Sequence, residues 1–211
     1  MTQTPLTSEQ VDVFARCMAV GGVAVFPSDT VYGLGCDPSQ REAVTRLYAL
    51  KRRPLEAPSA VMFFSLSLAL EALPELGERT RTALERLLPG PLTLLLENPS
   101  GRFPLACGSE PATLGLRVPQ LSAQLAALAE LSWPILQSSA NKAGEPAPTS
   151  IAQLDPTIGS EVDLVLDGGA LGELSSSVLD LRRYELDGSW ELLREGPIGR
   201  DQIDRLLREK S

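Results

Sequence analysis

Polar and charged side chains that could bind an anion recur in this sequence directly after apolar segments. The first group stands in FPSDTVYGLG, where Ser28, Thr30 and Tyr32 follow the apolar run VAVF. Ligands bind at strand ends in open α/β sheets, and Gly33 and Gly35 would let backbone approach a ligand closely. A turn in which Asp and Thr side chains bond to nearby amides accounts for the same residues. The spacing alone leaves a binding-site wall and an elaborate turn equally open.

A second group is cationic and stands in LKRRP, where Lys51, Arg52 and Arg53 end a predicted helix. Cations at a helix C-terminus complement the helix dipole, and this is the simpler explanation. Three cations in a row on an acidic chain exceed what the dipole needs. Lys51 and Arg53 are therefore also candidates for binding a polyphosphate.

Two further groups follow or occupy predicted strands. In LQSSANKAGEPAPTS, Ser139 and Asn141 follow a buried strand, and a loop rich in Gly and Pro leads to Thr149. Hydroxyl and amide groups of this kind suit a phosphate or a carboxylate, although a Ser/Asn turn is the simpler interpretation. Arg117 stands in the otherwise apolar TLGLRVP, four residues after Thr113. A buried cation needs an anionic partner, so this pattern favours a ligand site over an intramolecular salt bridge.

The last two motifs are weak, and residues and motifs that the chain lacks exclude several kinds of catalytic site. Ser176 and Arg194 stand at the ends of predicted strands, in SSSVLDL and WELLREG, and indicate little by themselves. The chain contains no histidine, which excludes a Ser-His-Asp triad, a Cys–His pair and a helical His-Glu-x-x-His zinc site. Neither a Walker-type phosphate loop nor a GxGxxG fingerprint is present. Any catalysis must use cations, carboxylates, hydroxyls, backbone groups or a bound metal.

Composition limits the class of protein. The chain has 211 residues, 43% of them hydrophobic, which fits one large or two small domains with a sizeable core. A formal net charge of −8 disfavours sequence-blind binding of nucleic acid over the whole surface but permits a local basic pocket. Three scattered cysteines without zinc-type spacing indicate an intracellular, reducing compartment. We see no signal-peptide pattern and no apolar run of membrane-spanning length.

Helical and strand patterns alternate over the first two thirds of the chain, which predicts an α/β fold with some parallel pairing. Short strands with turns between them follow, so we expect a mixed sheet, and we predict one domain over residues 1–211. The predicted strands are VAVF, SAVMFF, LTLLLE, LGLRVP, PILQSS, DLVLDGG, SSVLDLRR and WELLREG. The predicted helices run from a capping box at Thr7 to about Val20, from an N-cap at Asp37 to Lys51, from Leu76 to Leu88, over LSAQLAALAE, and from near Gly199 to the end.

Taken in order, these stretches resemble the YrdC/Sua5 family over about residues 8–200. FPSDTVYGLGCD is similar to the family's Pro-Thr-Asp-Thr-Val-Tyr-Gly-Leu-Gly signature, LYALKRRP to its Lys-x-Arg motif and SSAN to its Ser-x-Asn motif. LPGPLTLLL, LGLRVP, SSSVLDL and LLREG match further blocks. The resemblance implies a twisted mixed sheet with flanking helices around a large, concave, electropositive cavity.

The resemblance also implies an activity, L-threonylcarbamoyladenylate synthase. Such an enzyme joins L-threonine, bicarbonate and ATP and releases pyrophosphate, and its product feeds threonylcarbamoylation of adenosine 37 in tRNA. Mg²⁺ would accompany ATP, a tRNA threonylcarbamoyl-transferase complex would act downstream, tRNA is a further candidate partner, and the location would be cytoplasmic without a membrane partner. The loop at 142–148 would be a lid that protects a carbamate from water.

Site residues carry over motif by motif. The residues implied to bind or surround L-threonine are Ser28, Thr30, Tyr32, Arg117, Ser139 and Ser176. Those implied to bind ATP are Lys51, Arg53, Thr113, Asn141, Thr149 and Arg194. Those implied to be catalytic are Lys51, Arg53, Ser139 and Asn141.

The sequence departs from the family pattern at three points. Ser28 stands where Thr is usual, Glu56 and Ala57 stand where many members carry a second Lys, and a His that contacts threonine in some members is absent.

Two other functions stay open beside the synthase. One is a module that binds tRNA or double-stranded RNA without catalysis, and the other is a related nucleotidyltransferase that acts on another carbamate.

Overall fold

The computed structural model describes residues 5–172 and 174–208. The strands are β1 (Ala24–Phe26), β2 (Gly33–Cys36), β3 (Ala60–Met62), β4 (Leu92–Glu97), β5 (Thr113–Arg117), β6 (Ile135–Ser139), β7 (Leu164–Val165), β8 (Ser177–Asp180) and β9 (Glu191–Arg194). The helices are α1 (Ser8–Ala19), α2 (Arg41–Leu50), α3 (Leu66–Ala72), α4 (Glu78–Leu87), α5 (Pro104–Cys107), α6 (Pro156–Glu161), α7 (Tyr184–Asp187) and α8 (Arg200–Arg208). Two 3₁₀ segments occupy Ala126–Glu130 and Ile151–Gln153.

The strands form one sheet in the order β7-β1-β2-β6-β3-β5-β4-β8-β9. The pairs β1–β7, β3–β5 and β4–β8 are parallel, and the other five pairs are antiparallel. The predicted α/β fold with a mixed sheet is therefore confirmed. The three short strands of the last third are not all neighbours, because β7 joins one edge of the sheet while β8 and β9 form the other.

Helices cover the two faces of the sheet unequally. On one face, leucines of the central strands pack against apolar residues of α2, α4 and α8 in a large buried cluster that includes Leu47, Leu84 and Ile203. On the other face, a smaller cluster packs Phe14 of α1 and Leu128 of the first 3₁₀ segment against β1, β3 and β6. Among residues 5–172 and 174–208, no such cluster covers the rest of this second face, over β4, β5 and β8, and the concave site lies there.

The first helix follows its sequence signals closely. The side chain of Thr7 accepts a hydrogen bond from Gln10 N, the side chain of Gln10 accepts one from Thr7 N, and the helix ends at Ala19 before Gly21 (φ +81°). The second helix was predicted to begin after Asp37, and that prediction was wrong. Asp37 instead accepts hydrogen bonds from Ser39 N and Oγ (2.7 and 2.6 Å) in a turn, and α2 begins at Arg41.

Two other segments differ from the prediction. The stretch LSAQLAALAE forms only a short 3₁₀ segment. GLGC, expected to be part of a loop, is the strand β2 between β1 and β6. Its glycines do not serve approach to a ligand, because Cβ atoms added at Gly33 and Gly35 would come within 3.1 and 3.0 Å of the Phe26 ring. They make room for packing within the sheet.

Within the described residues, we find no helix that combines the length and apolar character needed to cross a membrane. The three cysteines, Cys17, Cys36 and Cys107, are free thiols.

Candidate active site

A cavity of about 320 Å³ lies over the part of the sheet that helices leave uncovered. Five predicted site residues line it: Arg53, Arg117, Ser139, Ser176 and Arg194. They come from the end of α2, from β5, from the end of β6, from the segment before β8 and from β9. The fold therefore brings together residues up to 141 positions apart, from 53 to 194.

Arg117 is the most buried of these cations. Its Nη2 donates to Asp29 Oδ1 (2.7 Å) and Thr30 Oγ1 (3.2 Å), and its Nη1 donates to Gln137 Oε1 (3.3 Å). Arg117 and Asp29 side chains are each 4% exposed. Burial lowers the pKa of Arg117 and raises that of Asp29, and the opposite charge of each partner opposes the shift. The intramolecular salt bridge exists, yet Nε of Arg117 is buried without a hydrogen-bond partner among the described residues.

The hydroxyls of the first motif lie beside this ion pair. Ser28 Oγ donates to Val31 O (2.8 Å) and lies 3.1 Å from Thr30 Oγ1. Both residues are 1% exposed. The motif thus joins the turn and the site, because its local hydrogen bonds hold Thr30 where Arg117 contacts it.

Lys51 lies against the Ser-x-Asn motif. Its Nζ donates to the carbonyl oxygens of Ser139 and Asn141, the latter at 2.8 Å, and lies 3.4 Å from Asn141 Oδ1. Ser139 Oγ in turn donates to Asn141 Oδ1. Burial, followed by the charge of Arg53, lowers the pKa of Lys51 to about 8. The side chain ties α2 to the loop after β6 and places a titratable cation against Ser139, which lines the cavity.

The other two cations of the cavity are held by backbone oxygens. Arg53 donates to Pro58 O and to Ser138 Oγ (3.4 Å), and its guanidinium lies 5.9 Å from the Tyr48 ring centroid. Arg194 donates to Ser176 O from Nε (3.1 Å) and from Nη2 (2.8 Å). Burial lowers the pKa of Arg194. Neither guanidinium pairs with a carboxylate of the described chain, so both keep charge available for an anion.

Three predicted residues, Tyr32, Thr113 and Thr149, lie outside the lining of this cavity. Tyr32 is fully buried, and its hydroxyl donates to Gly169 O (2.7 Å) and accepts from Gly168 N (3.0 Å). Thr149 Oγ1 donates to Gln153 Oε1 (3.0 Å). These contacts hold loops around the site.

Thr113 borders a neighbouring cavity. That cavity has a volume of about 470 Å³ and is also lined by Arg182 and Trp190. Thr113 and Arg117 lie on the same face of β5, because side chains alternate along a strand. The second cavity therefore lies on the same face of the sheet as the first one.

The loop at 142–148, expected to be a lid, is attached at several points. Ala143 N donates to Lys51 O (2.8 Å), and Lys142 Nζ contacts Asp155 Oδ2 at 2.7 Å. Lys142 and the first amides of α6 lower the pKa of Asp155 to about 2. Closure of this loop stays a prediction.

Asp29 and Gln137 are not among the site residues predicted from the sequence, although each bonds to Arg117. Gln137 carried a usable signal, because it is a polar residue inside an apolar strand, as Arg117 is. Asp29 carried none that separates it from a turn residue, since its partner lies 88 positions away.

Metal binding by the protein alone has little support here. In residues 5–172 and 174–208 no group of three or more His, Cys, Asp or Glu side chains is placed to bind a metal ion. The residues lining the cavity include three guanidiniums and no carboxylate. The donor set fits anions and does not fit a resident divalent cation.

A family model named Sua5_yciO_yrdC and described as "Telomere recombination" matches residues 16–196. The chain belongs to this Sua5/YciO/YrdC family. It is 31% identical over 201 residues to the threonylcarbamoyl-AMP synthase of Bacillus subtilis, covering 94% of this chain and 56% of that protein. It is 34% identical over 178 residues to the synthase of Stutzerimonas stutzeri, covering 84% of this chain and 95% of that protein.

Solved Sua5/YciO/YrdC structures share the fold. Pyrococcus abyssi Sua5 in complex with L-threonine superimposes with a TM-score of 0.81 at 29% identity, over 97% of this chain and 59% of that one. Escherichia coli YciO superimposes with a TM-score of 0.73 at 25% identity, over 92% and 93% of the two chains. This chain therefore spans little more than half the length of the Bacillus and Pyrococcus relatives and nearly all of the Stutzerimonas and Escherichia ones.

Proposed function

We propose that this chain is an L-threonylcarbamoyladenylate synthase that makes threonylcarbamoyl-AMP from L-threonine, bicarbonate and ATP. The observation that carries the proposal is the convergence of Arg53, Arg117 and Arg194 on one cavity. An amino-acid carboxylate and a triphosphate are both anions, and guanidiniums bind them with two parallel hydrogen bonds. The names of the Bacillus and Stutzerimonas relatives support this reaction.

Arg117, with Ser28, Ser139 and Ser176 near it, would bind the amino acid. Its unpartnered Nε is a donor for a carboxylate oxygen, because leaving a buried charged donor unpaired is costly. Thr30 and Tyr32 would shape the pocket that holds the amino acid.

The reaction needs charge stabilisation more than proton transfer by histidine. The threonine amine adds to bicarbonate with loss of water and gives a carbamate. A carbamate oxygen then forms a bond to the α-phosphorus of ATP, and the bond to the β-phosphate oxygen breaks, so that pyrophosphate leaves. Charge develops on the phosphoryl and leaving oxygens, and fixed cations stabilise it without reorganisation. Lys51, Arg53 and Arg194 would do this, and Thr113, Asn141 and Thr149 would complete the nucleotide site.

Mg²⁺ would enter with ATP. Because the described residues form no carboxylate cluster, its ligands would be phosphate oxygens and water, as is common for Mg²⁺ at nucleotide sites. The product would pass to a tRNA threonylcarbamoyl-transferase complex, tRNA itself is a candidate partner, and a cytoplasmic location follows from the same role.

The test is amino-acid-dependent release of pyrophosphate from ATP in the presence of bicarbonate. Release that requires L-threonine supports the proposal. Release with a different amino or acyl substrate would instead indicate a related nucleotidyltransferase. No release with any substrate would reject an enzyme of this class, and RNA binding with steep salt dependence would then favour a binding module.

Substitution links the activity to the cavity. We expect Lys51→Ala and Asn141→Ala each to lower the rate at least tenfold, and Arg53→Ala to raise KM for ATP. Arg205→Ala is the matched control, since Arg205 lies on the exposed side of α8. Circular dichroism checks that each variant is folded, and a near-normal rate in a folded variant would remove that residue from the site.

A further inference from the structure

Gln137 is a buried polar side chain at the floor of the cavity. It is the third residue of β6 and is 4% exposed. Its Cα pairs with Gly35 of β2 on one side and Ala60 of β3 on the other. A buried carboxamide has two N–H donors and an oxygen acceptor to satisfy, and in the middle of a sheet few partners are within reach.

The orientation of the carboxamide follows from its neighbour. Arg117 Nη1 lies 3.3 Å from the side chain of Gln137. A guanidinium can only donate hydrogen bonds, so the atom that faces it must be the oxygen, Oε1. The nitrogen, Nε2, is therefore on the opposite side of the amide group. It makes no hydrogen bond to the described residues, and it is not among their fully buried unpartnered atoms, so the cavity that Gln137 lines can reach it.

In the strand beside Gln137, residue 33 has no side chain that would crowd Nε2. A Cβ atom added at Gly33 would come within 2.8 Å of Nε2. Any other residue at 33 would press on the carboxamide and shift it. The absence of a side chain at Gly33 thus leaves the carboxamide of Gln137, which lines the cavity, in its place.

We infer that Gln137 is a substrate-binding residue whose carboxamide N–H groups donate to the carboxylate of the amino-acid substrate. The inference rests on the proposed function. A carboxylate has two oxygens, and the unpartnered Nε of Arg117 can serve one while Gln137 Nε2 serves the other. Arg53 and Arg194 remain for phosphate oxygens, so Gln137 affects the amino acid and not the nucleotide.

Gln137→Glu separates this role from a merely structural one. The glutamate keeps an oxygen acceptor for Arg117, so a residue that only supports Arg117 would tolerate the change. If residue 137 binds the substrate, Gln137→Glu removes both N–H donors and adds a charge that repels the substrate carboxylate. We expect Kd for L-threonine, measured by calorimetry, to rise at least about tenfold, and KM for ATP to change less than about twofold.

Gln202→Glu is the matched control, because Gln202 is exposed on α8, and it should leave both constants unchanged. L-threoninamide adds a rescue: its N–H groups can donate to the new carboxylate, so Gln137→Glu should lose less affinity for the amide than for threonine. Gln137→Leu, which lacks both donors and acceptor, should also weaken threonine binding, and it serves as the test if Gln137→Glu does not fold.

Wild-type affinity for L-threonine in folded Gln137→Glu, with normal threonine-dependent turnover, would overturn this inference and leave the proposed function intact. Equal loss of affinity for threonine and threoninamide would overturn it as well, since a general distortion would then explain the effect. Failure of the wild-type protein to bind threonine or release pyrophosphate would overturn both proposals.

Discussion

Replacement of Asp29 by Asn tests the buried ion pair that fixes Arg117. Asp29 Oδ1 and Arg117 Nη2 are 2.7 Å apart, and each side chain is 4% exposed. In the variant the guanidinium stays buried opposite a neutral amide, and loss of one partner of a buried pair costs about 3–5 kcal/mol. Asp29 Oδ2 also accepts a bond from Gln120 N (3.1 Å), and the Asn oxygen can keep one of the two contacts. We therefore expect a cost near the lower limit, about 3 kcal/mol.

This cost predicts a measurable fall in the melting temperature, Tm. An unfolding entropy of about 2.1 cal/mol/K per residue gives roughly 0.44 kcal/mol/K for 211 residues, so the Tm should fall by about 7 °C. Calorimetry at pH 7 measures it. Asp204→Asn is the matched control, because Asp204 pairs with Arg208 at 2.9 Å where the side chains are 37% and 79% exposed. An exposed pair of this kind contributes about 0.3–0.5 kcal/mol, so its Tm should fall by about 1 °C.

The double variant with Asp29→Asn and Arg117→Gln removes both charges. Replacing a whole buried pair by neutral groups costs much less than removing one partner, so the double variant should melt above the single one. A Tm for Asp29→Asn equal to that of Asp204→Asn would refute the reasoning, since it would mean that the guanidinium reaches water. A double variant that melts below the single one would refute it too.

Three further outcomes are expected. Because the pKa of Lys51 is lowered to about 8, kcat/KM for ATP should decline above about pH 8. Lys51→Arg should abolish this decline, since a guanidinium stays protonated. An unchanged decline in the variant would assign the titration to another group. Because Lys142 lowers the pKa of Asp155 from 3.8 to about 2, the stabilisation by Asp155 is complete above pH ~4 and is lost as the pH falls through about 2. The Tm difference between wild type and Asp155→Asn should therefore shrink over that range, and a constant difference would contradict it. Thr7→Ala removes the cap of α1 and should lower the Tm by about 2 °C. Thr82→Ala changes a half-buried residue in the middle of α4 that caps no helix end, and it should not lower the Tm; equal effects would deny the cap a special role.

Much of the fold could be predicted because strands and helices here carry strong local signals. LTLLLE and VAVF are apolar runs bounded by Gly and Pro, and they became β4 and β1. GLGC could not be predicted as a strand, because its glycines reflect packing against Phe26, a contact that no local pattern contains. The end of LSAQLAALAE is likewise a 3₁₀ segment set by packing against α1. The expected single domain stays a prediction.

The chemistry of the candidate site was harder to predict than its members. Arg117 is recognisable in the sequence as a cation in an apolar strand, but the sequence does not indicate Asp29, 88 positions away, as its partner. The sequence predicts Lys51 as a phosphate ligand, but it does not indicate the contacts of Lys51 with the carbonyl oxygens of Ser139 and Asn141. Partners of this kind depend on how distant strands align.

The location of the cavity nonetheless follows from alternation along three strands. Leu94, Leu116 and Leu136 point into the core beneath the helices, and because side chains alternate along a strand, their neighbours point to the opposite face. Those neighbours are Thr93, Gly115 and Gln137. A helix could pack there only by burying apolar surface, and these residues offer almost none. The same leucines that hold one face of the sheet thus leave a polar, concave surface on the other, and long-range partners such as Asp29 then decide which anions it can bind.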